Sequence, residues 1–294
     1  MASYSIKELE NLSGIKAHTI RIWEKRYGII KPARTDTNIR YYCDDDLKRL
    51  LNIAILNKYG MRISGIAKLS DEQMSEKVMH YASSDLNDAD SNVENLVIAM
   101  VEMNEYKFDR ILSRYIMNQG FEDAVIKVIF PFFEKIGLLW QTGSINPAHE
   151  HFVSNLFRQK LMVAIDNLMV TNKPDAKKFI LFLPEGEYHE LALLFYNYII
   201  KKSGKLVYYL GSSVPFNDLV ESGKMIEPDF LFSSITTSMS KEDITNYYKK
   251  LSEVFPFQKI FITGLQIKEN VLDLPSNIVK VSSPVDFSQI IQDF

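Results

Sequence analysis

Five short apolar runs near the end of the chain, at 179–183, 206–210, 230–236, 259–263 and 278–281, alternate with helical stretches near 188–202, 216–224, 240–253 and 284–292. Strands that read as continuous apolar runs, each followed by a helix, have few ways to fold. They form a parallel sheet covered on both faces, because each crossover returns a helix over the sheet. Five strands at this spacing suit a flavodoxin-like, Rossmann-like doubly wound domain, in which ligands sit at the carboxyl ends of the strands.

The rest of the 294 residues has other rhythms. From about 93 to 172 the apolar spacing is helical: Leu96, Ala99, Met100 and Met103 recur at i, i+3, i+4 and i+7, and Ile111, Leu112, Tyr115 and Ile116 do likewise. Breaks at Gln119–Gly120, Gly143–Ser144 and Asn172–Pro174 predict about four helices in a small bundle. Residues 71–92 are polar, acidic and poor in apolar side chains, so 73–92 reads as a linker with a helical turn or two. The expected order is a DNA-binding domain over 1–72, that linker, a bundle over 93–172 and the sheet domain over 173–294.

Charge is distributed unevenly. The net charge of −3 hides 13 Lys/Arg against 7 Asp/Glu in residues 1–68 and 21 against 30 in the remainder. A basic head on an acidic body is the asymmetry expected when one domain meets phosphates. The apolar runs are far too short to span a membrane, and the first residues do not pair a basic start with an apolar block, so a cytoplasmic protein is expected. The single cysteine, Cys43, excludes an internal disulfide framework.

In the basic head, Ser5 and Glu8 have capping-box spacing, Leu9 and Leu12 give the first helix an apolar face, and Ser13–Gly14 makes a tight turn. The next helix, about 16–25, directs Ile20 and Trp23 to the core and leaves Lys16, His18, Thr19, Arg21 and Arg26 outside. These are the donors a major-groove helix needs. Two short arms around a turn follow, carrying Arg34, Asn38, Arg40 and Tyr41, a wing able to reach phosphates beside the groove. Over residues 4–70 this pattern, with its R-x-x-x-N-x-R-Y-Y wing, closely resembles the MerR family of DNA-binding regulators. The resemblance implies a winged helix-turn-helix, a double-stranded DNA operator and assembly as a homodimer or homotetramer. Family members that sense metals or oxidants use cysteines beyond this module, and none is present there.

In the sheet region, Glu187-Tyr-His189 directly follows the first strand. A carboxylate near one imidazole nitrogen orients the ring and raises the basicity of the other. Glu187, His189 and Ala192, then 41 residues, Ser234 and Thr236, then 27 residues, Gly264, resemble the cobalamin-binding domain whose histidine takes the lower position on cobalt. That family has glycine where Ala192 and Leu265 stand. In the helical region, Trp140 followed after nine residues by Glu150-His151 resembles the four-helix cap over adenosylcobalamin in light-responsive regulators of the MerR class.

These resemblances imply a regulator that is not an enzyme. Its cofactor contacts would be Trp140, Glu150, His151, Glu187, His189, Ser234, Thr236 and Gly264, with His189 on cobalt. Gln141 stands where photosensing members often carry histidine. The alternative is a DNA-binding regulator whose cobalamin fold, altered at Ala192 and Leu265, serves oligomerisation or another ligand.

Overall fold

The computed structural model describes residues 4–34, 38–84, 88–141, 147–169, 173 and 175–294. The chain divides into two compact units, residues 1–156 and 157–294. The division falls inside one helix.

In the first unit, α1 (Ile6–Ser13) and α2 (Ala17–Tyr27) form a helix-turn-helix. The Ser5 hydroxyl accepts from the Glu8 N–H at 3.3 Å and the Glu8 carboxylate accepts from the Ser5 N–H, completing the capping box. Gly14, at φ 70°, ends α1 in the left-handed conformation that lets the chain turn at once into α2. The wing pairs β1 (Ala33–Arg34) with β2 (Arg40–Tyr41) in antiparallel register. Tyr4 and Tyr42 exchange backbone hydrogen bonds of 2.8 and 2.9 Å, tying the start of the head to the wing. Behind them α3 (Asp44–Lys58) buries Leu47, Leu50, Leu51, Ile53, Ile55 and Leu56, and the short α4 (Ile63–Ile66) follows.

The expected linker is largely helical: α5 runs Asp71–Ser84. Met74 and Val78, four apart and buried, give it enough of an apolar face to hold against α3. Next come α6 (Ala89–Val101), α7 (Glu105–Gln119), α8 (Phe121–Ala124), a π-turn at Val125–Ile129, α9 (Phe130–Gln141) and α10 (Pro147–Asp166). The π-turn lies just ahead of Pro131, which has no N–H to give the carbonyl one turn back, so the helical ladder shifts register there. The head is seated on this region through α3 and α6. Lys48 pairs with Glu102 at 2.7 Å, Glu102 also holds Lys107 at 3.2 Å, and Lys58 pairs with Asp88 at 2.7 Å.

The second unit contains the parallel sheet. Its strands are β3 (Lys178–Pro184), β4 (Leu206–Val214), β5 (Phe230–Ser234), β6 (Lys259–Thr263) and β7 (Ile278–Lys280), in the order β4-β3-β5-β6-β7. Between them run α11 (Leu191–Lys202), α12 (Phe216–Ile226), α13 (Lys241–Val254), α14 (Leu265–Glu269) and α15 (Pro284–Ile290). One face packs Phe232 against Tyr196 and Phe287; the other packs Ile180, Phe182 and Leu231 with Leu219, Ile244 and Leu251. Removing a phenylalanine from such a core costs about 3–5 kcal/mol. The strand order reverses at β3, so a crevice opens beyond the carboxyl ends of β3 and β5.

Candidate functional site

The residues singled out in the sequence fall into sets in separate parts of the fold. In the head, His18, Arg21 and Arg26 are exposed on the outer face of α2, Thr19 is partly covered, Ile20 is buried and Trp23 is half-buried. Lys16 is the residue before α2, where its ammonium pairs with Glu10 at 3.0 Å. Glu10 also accepts from the Ala17 N–H at 3.1 Å, so a carboxylate from α1 caps the start of α2. In the wing, Arg34 donates to Asn38 at 2.6 Å, Tyr41 is exposed, and Arg40 pairs with Glu24 of α2 at 3.2 Å. Arg40 therefore ties the wing to α2, whereas Arg21, Arg26 and Arg34 are exposed.

The second set lies in the crevice between β3 and β5. The loop after β3 buries Glu187 and exposes His189, whose side chain is 56% accessible. Glu187 Oε1 accepts from the backbone N–H of His189 at 2.9 Å and from its Nδ1 at 2.7 Å. Its Oε2 accepts the N–H groups of Thr236 and Thr237, both at 2.7 Å, and the Thr237 hydroxyl donates to Oε1 at 3.0 Å. Burial alone would raise the pKa of this carboxyl. The hydrogen bonds from His189, Thr237 and Thr236 outweigh it and bring the value down to about 2. A fixed anion beside Nδ1 keeps the neutral ring's proton there and its lone pair on Nε2, the arrangement of a metal-ligating imidazole.

Other motif residues surround this pair. Ser234, at the end of β5, is 1% exposed, and its hydroxyl has no hydrogen-bond partner among the described residues. A buried hydroxyl without a partner costs roughly 1–3 kcal/mol, so a polar ligand group near it would recover that loss. Gly264 has φ 107°, and a methyl group on it would come within 2.3 Å of the Ile235 carbonyl oxygen. Leu265 opens α14 with its side chain 42% exposed, and Ala192 lies partly buried in the first turn of α11.

The helical region carries the remaining residues. Glu150 and His151 are in the first turn of α10, where the Glu150 carboxylate accepts from Ser154 at 2.5 Å and faces His151 Nδ1 at 3.1 Å. His151 is 74% exposed. Trp140 and Gln141 belong to α9, but their side chains lie outside the described residues.

Thr237 escapes the sequence motif because it sits one residue beyond Thr236, and nothing in its local pattern marks it. Arg158, Glu190 and Tyr209, which meet beside His189, are separated by dozens of residues and escape for the same reason.

Comparison with known proteins matches two stretches of the chain to two families. Residues 4–73 match the MerR HTH family regulatory proteins, and residues 93–164 match the B12 binding domain. The chain is 28% identical over 259 residues to the HTH-type transcriptional repressor CarH of Myxococcus xanthus, covering 86% of each chain. It is 24% identical over 270 residues to the repressor CarA of the same organism, covering 90% of this chain and 88% of the relative. The fold is similar to that of the monomethylamine corrinoid protein of Methanosarcina barkeri, with a TM-score of 0.55 at 16% identity over 70% of this chain and 99% of that one.

Proposed function

We infer that this chain, a DNA-binding transcription regulator built from a MerR-type helix-turn-helix head and a B12 binding domain, takes adenosylcobalamin as its controlling ligand. The observation that carries this reading is the Glu187–His189 pair, a buried carboxylate at Nδ1 of an exposed imidazole, which would leave Nε2 as the nitrogen to ligate a metal. The residues present fit a corrinoid. Ser234 offers a buried hydroxyl in need of a partner, and Gly264 keeps the backbone beside Ile235 close-packed. His189 would ligate the cobalt, and Ser234, Thr236 and Gly264 would contact the nucleotide tail. Trp140, Glu150 and His151 would contact the upper ligand. Bound adenosylcobalamin supplies a cobalt–carbon bond that light can break.

Occupancy controls the operator only if one assembly of the protein binds the ligand better than another. Homodimers or homotetramers joined through the acidic body would bring several basic heads to one DNA segment and raise avidity without new base contacts. A retired cobalamin fold is not favoured. The carboxylate that orients His189 keeps five donors, and Leu265 stands partly exposed at the start of α14.

The test is an absorbance spectrum and a sizing run of the full chain with adenosylcobalamin, in darkness and after illumination, with operator binding measured in parallel. Stoichiometric corrinoid, a nitrogen-ligated spectrum that His189→Ala abolishes, and a dark-to-light change in assembly are expected. Folded protein that stays colourless would overturn the reading.

A further inference from the structure

The loop bearing His189 is anchored at both ends, and only the Glu187 end belongs to the motif. At the other end Glu190 is the residue before α11, yet its side chain makes no capping bond to that helix. Its carboxylate, 15% exposed, instead pairs with the Arg158 guanidinium from α10 and accepts the Tyr209 hydroxyl of β4 at 3.3 Å. Gly211, at φ 84°, adjoins this meeting: a methyl group there would lie in ordinary contact, 3.7 Å from the Tyr209 ring and 4.0 Å from the Glu190 carboxylate. A planar guanidinium held against a largely buried carboxylate is a directional contact, and it adjoins the residue whose ring must reach a metal.

We propose that Arg158, together with Tyr209, is a positioning residue for His189: by gripping Glu190 it fixes the second end of the loop and so sets where the imidazole stands. The proposal rests on the reading of His189 as the axial ligand. Glu187 orients the ring about its own bonds, whereas the Arg158–Glu190–Tyr209 contact fixes the backbone from which the ring projects. Without that contact the ring keeps its carboxylate, but the peptide carrying it swings about the Glu187 end.

Two measurements on the full chain test this. In cobalamin-free protein, amide exchange in residues 186–192 is expected to quicken roughly 10- to 100-fold in Arg158→Ala and Glu190→Gln, as loss of a charged hydrogen bond implies, with β5 amides unchanged. In protein loaded with adenosylcobalamin and reduced to the paramagnetic cobalt(II) form, 15N-histidine labelling reports the axial nitrogen directly. The ratio of His-ligated to unligated protein should fall at least ~10-fold in Arg158→Ala. Arg158→Lys should restore part of it, and Arg158→Glu combined with Glu190→Arg more than either single reversal.

Unchanged loop exchange in Arg158→Ala would overturn the proposal, as would quickened exchange with undiminished axial ligation. Parent protein that holds corrinoid without an axial histidine nitrogen would overturn the reading of His189 and this proposal together. A normal parent signal with indifferent variants would overturn the proposal alone.

Discussion

Thr237 meets Glu187 through two hydrogen bonds, one from its N–H at 2.7 Å and one from its hydroxyl at 3.0 Å. The carboxylate that turns His189 is thus itself held by the loop after β5. Thr237→Val keeps the backbone bond and removes the hydroxyl. It should lower axial ligation by His189 several-fold while leaving the thermal midpoint within a few degrees, because one net hydrogen bond is worth about 1 kcal/mol. Cobalt(II) spectra and a melting curve on the same sample check both halves.

Acid should weaken the sheet unit through Glu187. Its folded pKa, about 2, lies below the ordinary 4.5, so its contribution is complete above pH 4.5 and fades as pH falls toward 2. About 2 kcal/mol of that contribution is gone by pH 3. Urea unfolding at pH 7 and pH 3 should show the loss in the parent, and Glu187→Gln should be less stable at pH 7 but lose correspondingly less on acidification. Equal acid losses in both proteins would contradict the assignment.

Ser234→Ala should act in opposite directions on stability and binding. Removing a buried hydroxyl that lacks a partner stabilises the ligand-free protein by up to about 1 kcal/mol. Cobalamin affinity should fall, on the order of tenfold, for want of the same hydroxyl. Calorimetric melting and a cobalamin titration decide it, and a variant that is both less stable and equally avid would count against the proposed role.

Gly264→Ala is expected to be severe. The new methyl would lie 2.3 Å from a backbone oxygen that has no rotamer to escape through, at a φ of 107° that alanine rarely adopts. A loss of roughly 2–5 kcal/mol follows, visible as a lowered melting temperature or insoluble protein.

On DNA, Arg34→Ala should weaken binding about equally across sequences and reduce the salt slope by about one, whereas Arg21→Ala should cost about 1–3 kcal/mol and relax specificity at one position. Binding to sites selected from a random library, at several salt concentrations, separates the two. Arg40→Ala should resemble neither. By freeing the wing from Glu24 it should lower affinity while quickening amide exchange in β1 and β2.

Much of this was legible in the sequence where local composition and tertiary demand agree. The run 259–263 is a strand at its expected ends because a buried parallel strand needs only apolar, β-branched and aromatic residues. β4 runs on to Val214, past its expected end at 210, because Gly211 and the left-handed Ser213 carry it through irregular register with β3. The stretch at 71–84 disguised a helix because its face rests on few residues, Met74 and Val78 among them, set in polar sequence. The short α14 was hidden by Leu265, an exposed apolar residue at its start. At the candidate site, the family resemblance singled out Glu187, His189 and Ser234, which stand in the loop after β3 and at the end of β5. It could not reveal that Arg40 serves Glu24 or that Arg158 reaches Glu190, because long side chains choose partners only once the backbone is in place.

The seat of the head on α6, through Lys48–Glu102 and Lys58–Asp88, bears on how such a protein measures DNA. A head on a slack tether samples a cloud and tolerates any gap between half-sites. A seated head has one bearing. If copies pair through their bundles, the distance between their α2 helices would be dictated by how the bundles meet, and it would have to match major grooves about 34–36 Å apart. Such a regulator reads a ruler as well as a sequence: inserting about half a helical turn between two intact half-sites should silence the operator as thoroughly as erasing one of them.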